Sequence, residues 1–167
     1  ECKTHDLAAL VRDSVLLQRL GQPTIKILDD LPVEPVLTEI DATMISQALT
    51  NLMKNAGEAV ETLRNDNIPP NHVALITVKM QTSPVDIVIT ISDSGIGLPE
   101  DRTRLFEPYV TTRNEGTGLG LPIVKKIIEE HGGTLSLDDA APFEGCTHFG
   151  AKAVITLPIA HSLIEQE

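Results

Sequence analysis

Three glycines at alternate positions, Gly116, Gly118 and Gly120 in Gly116-Thr-Gly-Leu-Gly-Leu-Pro122, stand immediately before a stretch with helical periodicity. A run without Cβ atoms lets successive backbone N–H groups approach an anion, and the helix start adds unpaired donors and its dipole, so the chemistry suggested is phosphate binding. The familiar phosphate fingerprints do not fit. Gly-Lys-Ser/Thr of the P-loop is absent, and Leu121 occupies the last glycine position of G-x-G-x-x-G. Taken alone, the same glycines also read as a hinge.

Two further groups of residues have types suited to a nucleotide. At about 100° per residue, Asn51, Asn55 and Glu58 fall along one margin of an apolar helical stripe. A single Asn there would ordinarily bond a neighbouring strand or loop. A pair offers carboxamide oxygens that can ligate Mg²⁺ without adding negative charge beside a triphosphate. Lys54 points away from the stripe and reads equally as a solvated lysine or a phosphate contact. In Val85-Asp-Ile-Val-Ile-Thr-Ile-Ser-Asp93, period-2 geometry puts Asp93 on the same face as Val85, Ile87, Ile89 and Ile91. A carboxylate is thereby carried to an apolar face, where it can begin a turn through its own backbone or accept a hydrogen bond from a nucleobase amino group. Gly95 and Gly97 would let a ring approach the main chain.

The elements that must position these residues follow from periodicity. The spacing predicts a helix from Asp6 to Leu20 carrying Leu7, Leu10, Val11, Val15, Leu16 and Leu20, ended by Gly21-Gln22-Pro23. Thr24 to Leu28 and Val36 to Thr38 read as short strands around a turn at Asp29-Asp30-Leu31-Pro32. A long helix runs from about Ala42 to Leu63, capped by Asp41, with Met44, Ile45, Ala48, Leu49, Leu52, Met53, Ala56, Val60 and Leu63 as its stripe. His72 to Met80 and Val85 to Ser92 form a hairpin, then Asp93 to Gly116 holds no period and reads as a long functional loop. Leu121 to His131 is a helix with Pro122 in its first turn and Gly132-Gly133 at its end, followed by strands Thr134 to Leu137 and Ala151 to Leu157. Grouped strands and helices without strict alternation predict an α+β fold, a two-layer α/β sandwich whose mixed, largely antiparallel sheet is covered on one face by helices.

Composition narrows the class. The chain has 167 residues, 41% hydrophobic, with no Trp, one Tyr and three Phe, which suits one domain with an aliphatic core. A net charge of −11 argues against a nucleic-acid partner. Cys2 and Cys146 form no disulfide framework or metal-like spacing, consistent with a reducing cytoplasm. No apolar run approaches the ~18 residues of a membrane span, so no membrane contact is expected of this stretch, which is compatible with a membrane-anchored parent.

Four blocks in order resemble the ATP-binding catalytic domain of sensor histidine kinases, in the superfamily shared by gyrase, Hsp90 and MutL: Asn51 to Val60 (N box), Asp93-Ser-Gly-Ile-Gly97 (G1 box), Phe106-Glu-Pro-Tyr-Val-Thr-Thr-Arg113 (F box) and Gly116 to Leu121 (G2 box). The resemblance implies the Bergerat ATP-binding fold with ATP and Mg²⁺ as cofactors. Asn55, with Asn51, would face Mg²⁺ and the phosphates, and Asp93 would hold the adenine amino group. Gly95 and Gly97 would back the base, while Gly116, Thr117, Gly118, Leu119, Gly120 and Leu121 line the phosphates. Leu98 to Thr117 looks like the mobile lid, with Phe106 or Tyr109 packing it down and Arg113 contacting the γ-phosphate. Phe106 also reads as plain core, and Arg113 as a solvated cation. Thr147 matches a threonine near the adenine in relatives. Pro122 and Tyr109 depart from the common pattern. The blocks Gly-Leu-Pro-Ile-Val-Lys-Lys-Ile-Ile-Glu-Glu-His-Gly-Gly and Asn-Leu-Met-Lys-Asn-Ala-Gly-Glu-Ala are especially similar to nitrogen-regulation sensor kinases.

Such kinases phosphorylate a histidine on a dimerising helical hairpin, within His-Glu and a nearby Pro. None of His5, His72, His131, His148 or His161 has that setting. His131 lies near a helix C-terminus, where a cation is comfortable. The resemblance therefore implies that residues 1–22 are the end of the dimerisation region, 23–160 the catalytic domain and 161–167 a tail. Its partners would be the hairpin of the same parent and a response regulator receiver domain. Hydrolysing relatives carry Glu where Asn51 stands, and a carboxamide is no base, so ATP would be held rather than hydrolysed. A nucleotide-gated interaction module without transfer, or a serine kinase of the anti-sigma-factor kind, are the alternatives.

Overall fold

Asp6 turns the chain from a strand into a helix. Its Oδ1 accepts from Ala8 N at 3.1 Å and Ala9 N at 3.4 Å, capping the helix, and from Val36 N at 2.9 Å across the chain. A computed structural model of the protein describes residues 1–66, 68–102, 105–106, 120–143 and 146–159. In chain order the elements are β1 (Lys3–Asp6), α1 (Leu7–Gly21), β2 (Lys26–Asp30), β3 (Leu37–Ile40), α2 (Ala42–Arg64), β4 (Leu75–Thr82), β5 (Asp86–Asp93), α3 (Gly120–Glu130), β6 (Thr134–Ala140) and β7 (Gly150–Pro158). An Asp6→Ala protein should lose about 1–2 kcal/mol of stability, since a cap is removed and Val36 N–H loses its acceptor. A lowered urea midpoint at unchanged slope would register that loss.

The main sheet has the order β2-β4-β5-β7-β6, with β2 parallel to β4 and every other pair antiparallel. Alternate residues explain which face is covered. Ile76, Val78 and Met80 of β4, Ile87, Ile89 and Ile91 of β5, and Ala153, Ile155 and Leu157 of β7 are all buried, whereas Lys79 and Gln81 on the other face of β4 are exposed. Onto the buried face α2 lays Ile45, Ala48, Leu49, Leu52, Met53, Ala56 and Val60, joined by Val124, Ile127 and Ile128 of α3. Leu7, Ala8, Val11 and Val15 of α1 enter the same hydrophobic cluster. The two-layer sandwich and its mixed, largely antiparallel sheet are as the sequence pattern predicts.

Four differences have physical causes. β1 carries no apolar alternation and is held by backbone pairing with β3, Lys3 opposite Ile40 and Asp6 opposite Leu37. β3 accordingly leaves the main sheet and forms a separate two-stranded ribbon with β1. Asp29 and Asp30, whose type suggests a turn, instead extend β2, paired with Val78 and Lys79. Charges are compatible with an edge strand, where they discourage further pairing. On α1, Leu16 and Leu20 are 56% and 75% exposed, and Ser14 and Gln18 take the inward positions. Ser14 can do so because its Oγ donates to Leu10 O at 3.0 Å, so its burial leaves that donor paired.

Candidate nucleotide site

Strand β5 delivers Asp93 as the pleat requires. Ile87, Ile89, Ile91 and Asp93 alternate inward, and Asp93 is only 6% exposed. Its Oδ1 accepts from Gly95 N at 2.8 Å and from Ala151 N at 3.4 Å. The turn role open to an Asp-Ser-Gly sequence is thus realised by one carboxylate oxygen, and the whole group is held at the buried end of an apolar strand.

The glycines after it have protein-internal reasons to be bare. A Cβ built on Gly95 would lie 2.5 Å from the Ala59 carbonyl carbon, so this segment rests directly on the backbone of α2, and Ile96 N donates to Ala59 O at 3.2 Å. Gly97 has φ +81°, in the left-handed region, and a Cβ there would lie 3.1 Å from Phe149 O. Close approach to a ligand is therefore not needed to explain either residue.

Asn51 and Asn55 are half-buried on one flank of α2, beside the buried Leu52 and Ala56, while Lys54 is exposed. The first residue of α3 comes close to Asn55: a Cβ built on Gly120 would lie 3.6 Å from Asn55 Nδ2 and 3.7 Å from its Oδ1. Pro122 falls in the first turn of α3, where a missing N–H costs nothing. Residues far apart in sequence are thus brought together: the carboxamide of α2 and the helix start that follows the glycine run. Leu121 is partly buried and packs on the core. Phe106 does likewise, with Lys125 Nζ 5.6 Å from its ring centroid, so it ties its segment to α3. Arg102 pairs with Asp139 of β6 at 2.7 Å, a half-exposed contact of small energetic weight. Thr147 is exposed beside His148. Tyr109, Arg113, Gly116, Thr117, Gly118 and Leu119 lie outside the described residues.

Two histidines that no sequence motif singles out bracket this site. His72 Nε2 lies 2.5 Å from Ser94 O and His148 Nε2 lies 2.6 Å from Gly95 O. A carbonyl can only accept, so each Nε2 carries its proton. The rings meet edge to face at 6.2 Å and pin the main chain that follows Asp93. Both lie in irregular segments: the sequence pattern carries the hairpin strand back to His72, but β4 begins only at Leu75, and spacing gives no hint of either ring's partner.

For a divalent cation, the donors on hand are carboxamides. No group of three or more His, Cys, Asp or Glu suited to a metal occurs among the described residues. Asn51 and Asn55 fit an ion that draws most of its ligands from phosphates and water, as Mg²⁺ does, and do not form a protein cage. A separate crevice of about 830 Å³ opens on the neighbouring flank of α2, lined by Gln22, Lys54, Gly57 and Glu61 among others. Lys54 and Glu58 line it, whereas Asn51, Asn55 and Asp93 do not.

An acid ending a buried strand, a carboxamide pair on the covering helix and a second helix start close to Asn55 of that pair define a nucleotide-binding α+β domain. The chain belongs to the family described as histidine kinase-, DNA gyrase B- and HSP90-like ATPases, which residues 40–161 match. It is 44% identical over 146 residues to nitrogen regulation protein NtrY of Azorhizobium caulinodans, covering 85% of this chain and 18% of that protein. It is 35% identical to a putative NtrY-like sensor histidine kinase of Rickettsia bellii, covering 80% of this chain and 25% of the relative. The chain thus spans a quarter or less of these two relatives. Among solved structures, the mycobacterial sensor histidine kinase MprB superposes with TM-score 0.76 at 26% identity, covering 96% of this chain and 99% of the other. The nucleotide-free catalytic domain of histidine kinase ThkA superposes with TM-score 0.73 at 26% identity, covering 96% and 99%. Among the described residues, no helix is long and apolar enough to cross a membrane.

Proposed function

We propose that this domain binds Mg-ATP between α2 and the segment following β5, and passes the γ-phosphoryl group to a histidine on a separate dimerisation hairpin of the same parent protein. That phosphohistidine would then supply a response regulator receiver domain. The observation that carries the reading is the closeness of Gly120 to the Asn55 carboxamide, near enough that a Cβ at Gly120 would touch it, which sets the glycine-run helix start beside the candidate metal-facing side chain. In the reaction an imidazole nitrogen attacks the γ-phosphorus, the bond to the β,γ-bridging oxygen breaks, ADP leaves and the imidazole gives up its proton. Bound Mg²⁺ would neutralise charge on the phosphates.

The protein's own part is positioning. Asp93 would fix the adenine amino group, Asn51 and Asn55 would orient the metal-bound phosphates, and Arg113 would meet the γ-phosphate. With Asn51 a carboxamide, no side chain at that position can take a proton from water. Residues 1–22, which include α1, would carry the chain in from the hairpin, and the 44% identity to NtrY supports a setting in nitrogen regulation.

The test is transfer of label from γ-labelled ATP to the purified hairpin of the parent. Acid-labile, base-stable label on the hairpin supports the kinase. Tight nucleotide binding with no label on the hairpin would replace it with a nucleotide-gated interaction module. An Asn55→Ala protein should lose roughly 10–100-fold of the affinity that Mg²⁺ adds, the worth of one contact to a charged group, and change little without the metal. Calorimetric titration of a non-hydrolysable ATP analogue with and without Mg²⁺ measures both.

A further inference from the structure

His131 immediately follows α3, and both of its ring nitrogens are engaged. Nδ1 lies 2.7 Å from Ile127 O, and Nε2 lies 3.0 Å from Asp41 N. A carbonyl oxygen only accepts and a backbone N–H only donates, so Nδ1 carries the proton and Nε2 is bare. The ring is neutral, in a defined tautomer. A cation at this helix end, which composition near a C-terminus suggests, would lose the bond to Asp41.

Asp41 is no ordinary partner. It is the N-cap of α2: its Oδ1 accepts from Met44 N at 3.1 Å and its carbonyl accepts from Ile45 N at 3.0 Å. The His131 ring therefore joins the end of α3 to the start of α2. At its other end α3 begins at Gly120, against the Asn55 carboxamide. Between them Val124, Ile127 and Ile128 pack on the core, and apolar contacts of that kind are non-directional. A helix of eleven residues is about 16 Å long and behaves as a stiff rod over that length.

We propose that His131 is a positioning residue for the nucleotide site: its hydrogen bond from Asp41 N fixes the lengthwise register of α3 on α2, and so sets the phosphate-side start of α3 against Asn55. The inference deepens the nucleotide reading and rests on it for its functional consequence. The placement of Gly120 can also be measured without nucleotide.

Two substitutions divide the ring's functions. The amide nitrogen of Asn reaches the place of Nδ1 and keeps the bond to Ile127 O, but nothing reaches Asp41 N. The longer Gln places its amide oxygen where Nε2 stands and can accept from Asp41 N. In the nucleotide-free protein, His131→Asn should shift the amide resonance of Gly120 and the side-chain amide of Asn55, and His131→Gln should leave both near their wild-type positions. Binding of a Mg²⁺-loaded, non-hydrolysable ATP analogue should weaken roughly threefold to tenfold in the Asn protein, the change one neutral hydrogen bond supports, and be restored in the Gln protein. If the Asn protein does not fold, the Gln protein alone decides, since it must match wild type in resonances and affinity. Unmoved Gly120 and Asn55 resonances in the Asn protein, or a Gln protein displaced as far as Asn, would overturn the proposal. Failure of the wild type to bind the analogue would overturn the nucleotide reading instead, leaving the resonance comparison to judge His131.

Discussion

An Asp93→Asn protein is expected to bind adenine nucleotide roughly 10–100-fold more weakly, because one hydrogen bond to a charged acceptor is worth about 1.5–3 kcal/mol. Asparagine is the informative replacement because base recognition would be a second task for this carboxylate. Its Oδ1 holds Gly95 N at 2.8 Å and reaches Ala151 N at 3.4 Å, so alanine would leave a buried amide without its acceptor and confuse folding with binding. Asparagine keeps one oxygen for Gly95 N and replaces the other with a donor, which would face the donor of an adenine amino group. Preference for ATP over GTP should therefore collapse, and the melting temperature separates that loss from any change in folding. Competition between the two analogues at fixed Mg²⁺, alongside a thermal melt, measures both. An unchanged preference for adenine would remove Asp93 from base recognition and leave it a turn residue.

How far the sequence foretells this site depends on what kind of constraint each residue answers to. Asp93 is legible because a strand has period 2, and the three inward isoleucines before it set the face on which the acid must fall. Asn51 and Asn55 are legible because the stripe on α2 is long enough to fix its angular frame. The β1 strand is not, since pairing between backbones leaves no trace in side-chain type, and β3 follows it out of the main sheet. Nor are His72 and His148, whose contacts with consecutive carbonyls join irregular segments some seventy-five residues apart. His131 shows the sharpest limit. Its position suggests a charge–dipole role, and only the location of Asp41 N, ninety residues earlier, reveals a neutral ring accepting a hydrogen bond.

Gly95→Ala is expected to cost stability and nucleotide affinity together, and the reason lies on α2. The added methyl would stand 2.5 Å from both the carbonyl carbon and the Cβ of Ala59, and 2.7 Å from Val60 N. Two of those three atoms are helix backbone, inside a helix whose neighbours Ala56 and Val60 are buried, so α2 cannot yield locally. The segment after β5 must lift instead, stretching the 3.2 Å bond from Ile96 N to Ala59 O and pulling on the Gly95 N–H that Asp93 holds. Overpacking of this kind costs about 1–3 kcal/mol, and more where the opposing atoms are main chain. Gly97→Ala makes the control, because its penalty is backbone conformation at φ +81° with an added carbon still 3.1 Å from Phe149 O. That strain is on the order of 1–2 kcal/mol. The Gly95→Ala protein should thus have the lower urea midpoint of the two and the greater loss of analogue affinity, since its displacement begins two residues from Asp93. Equal midpoints, or wild-type affinity in the Gly95→Ala protein, would mean that the seat of this segment on α2 does not set the position of the acid.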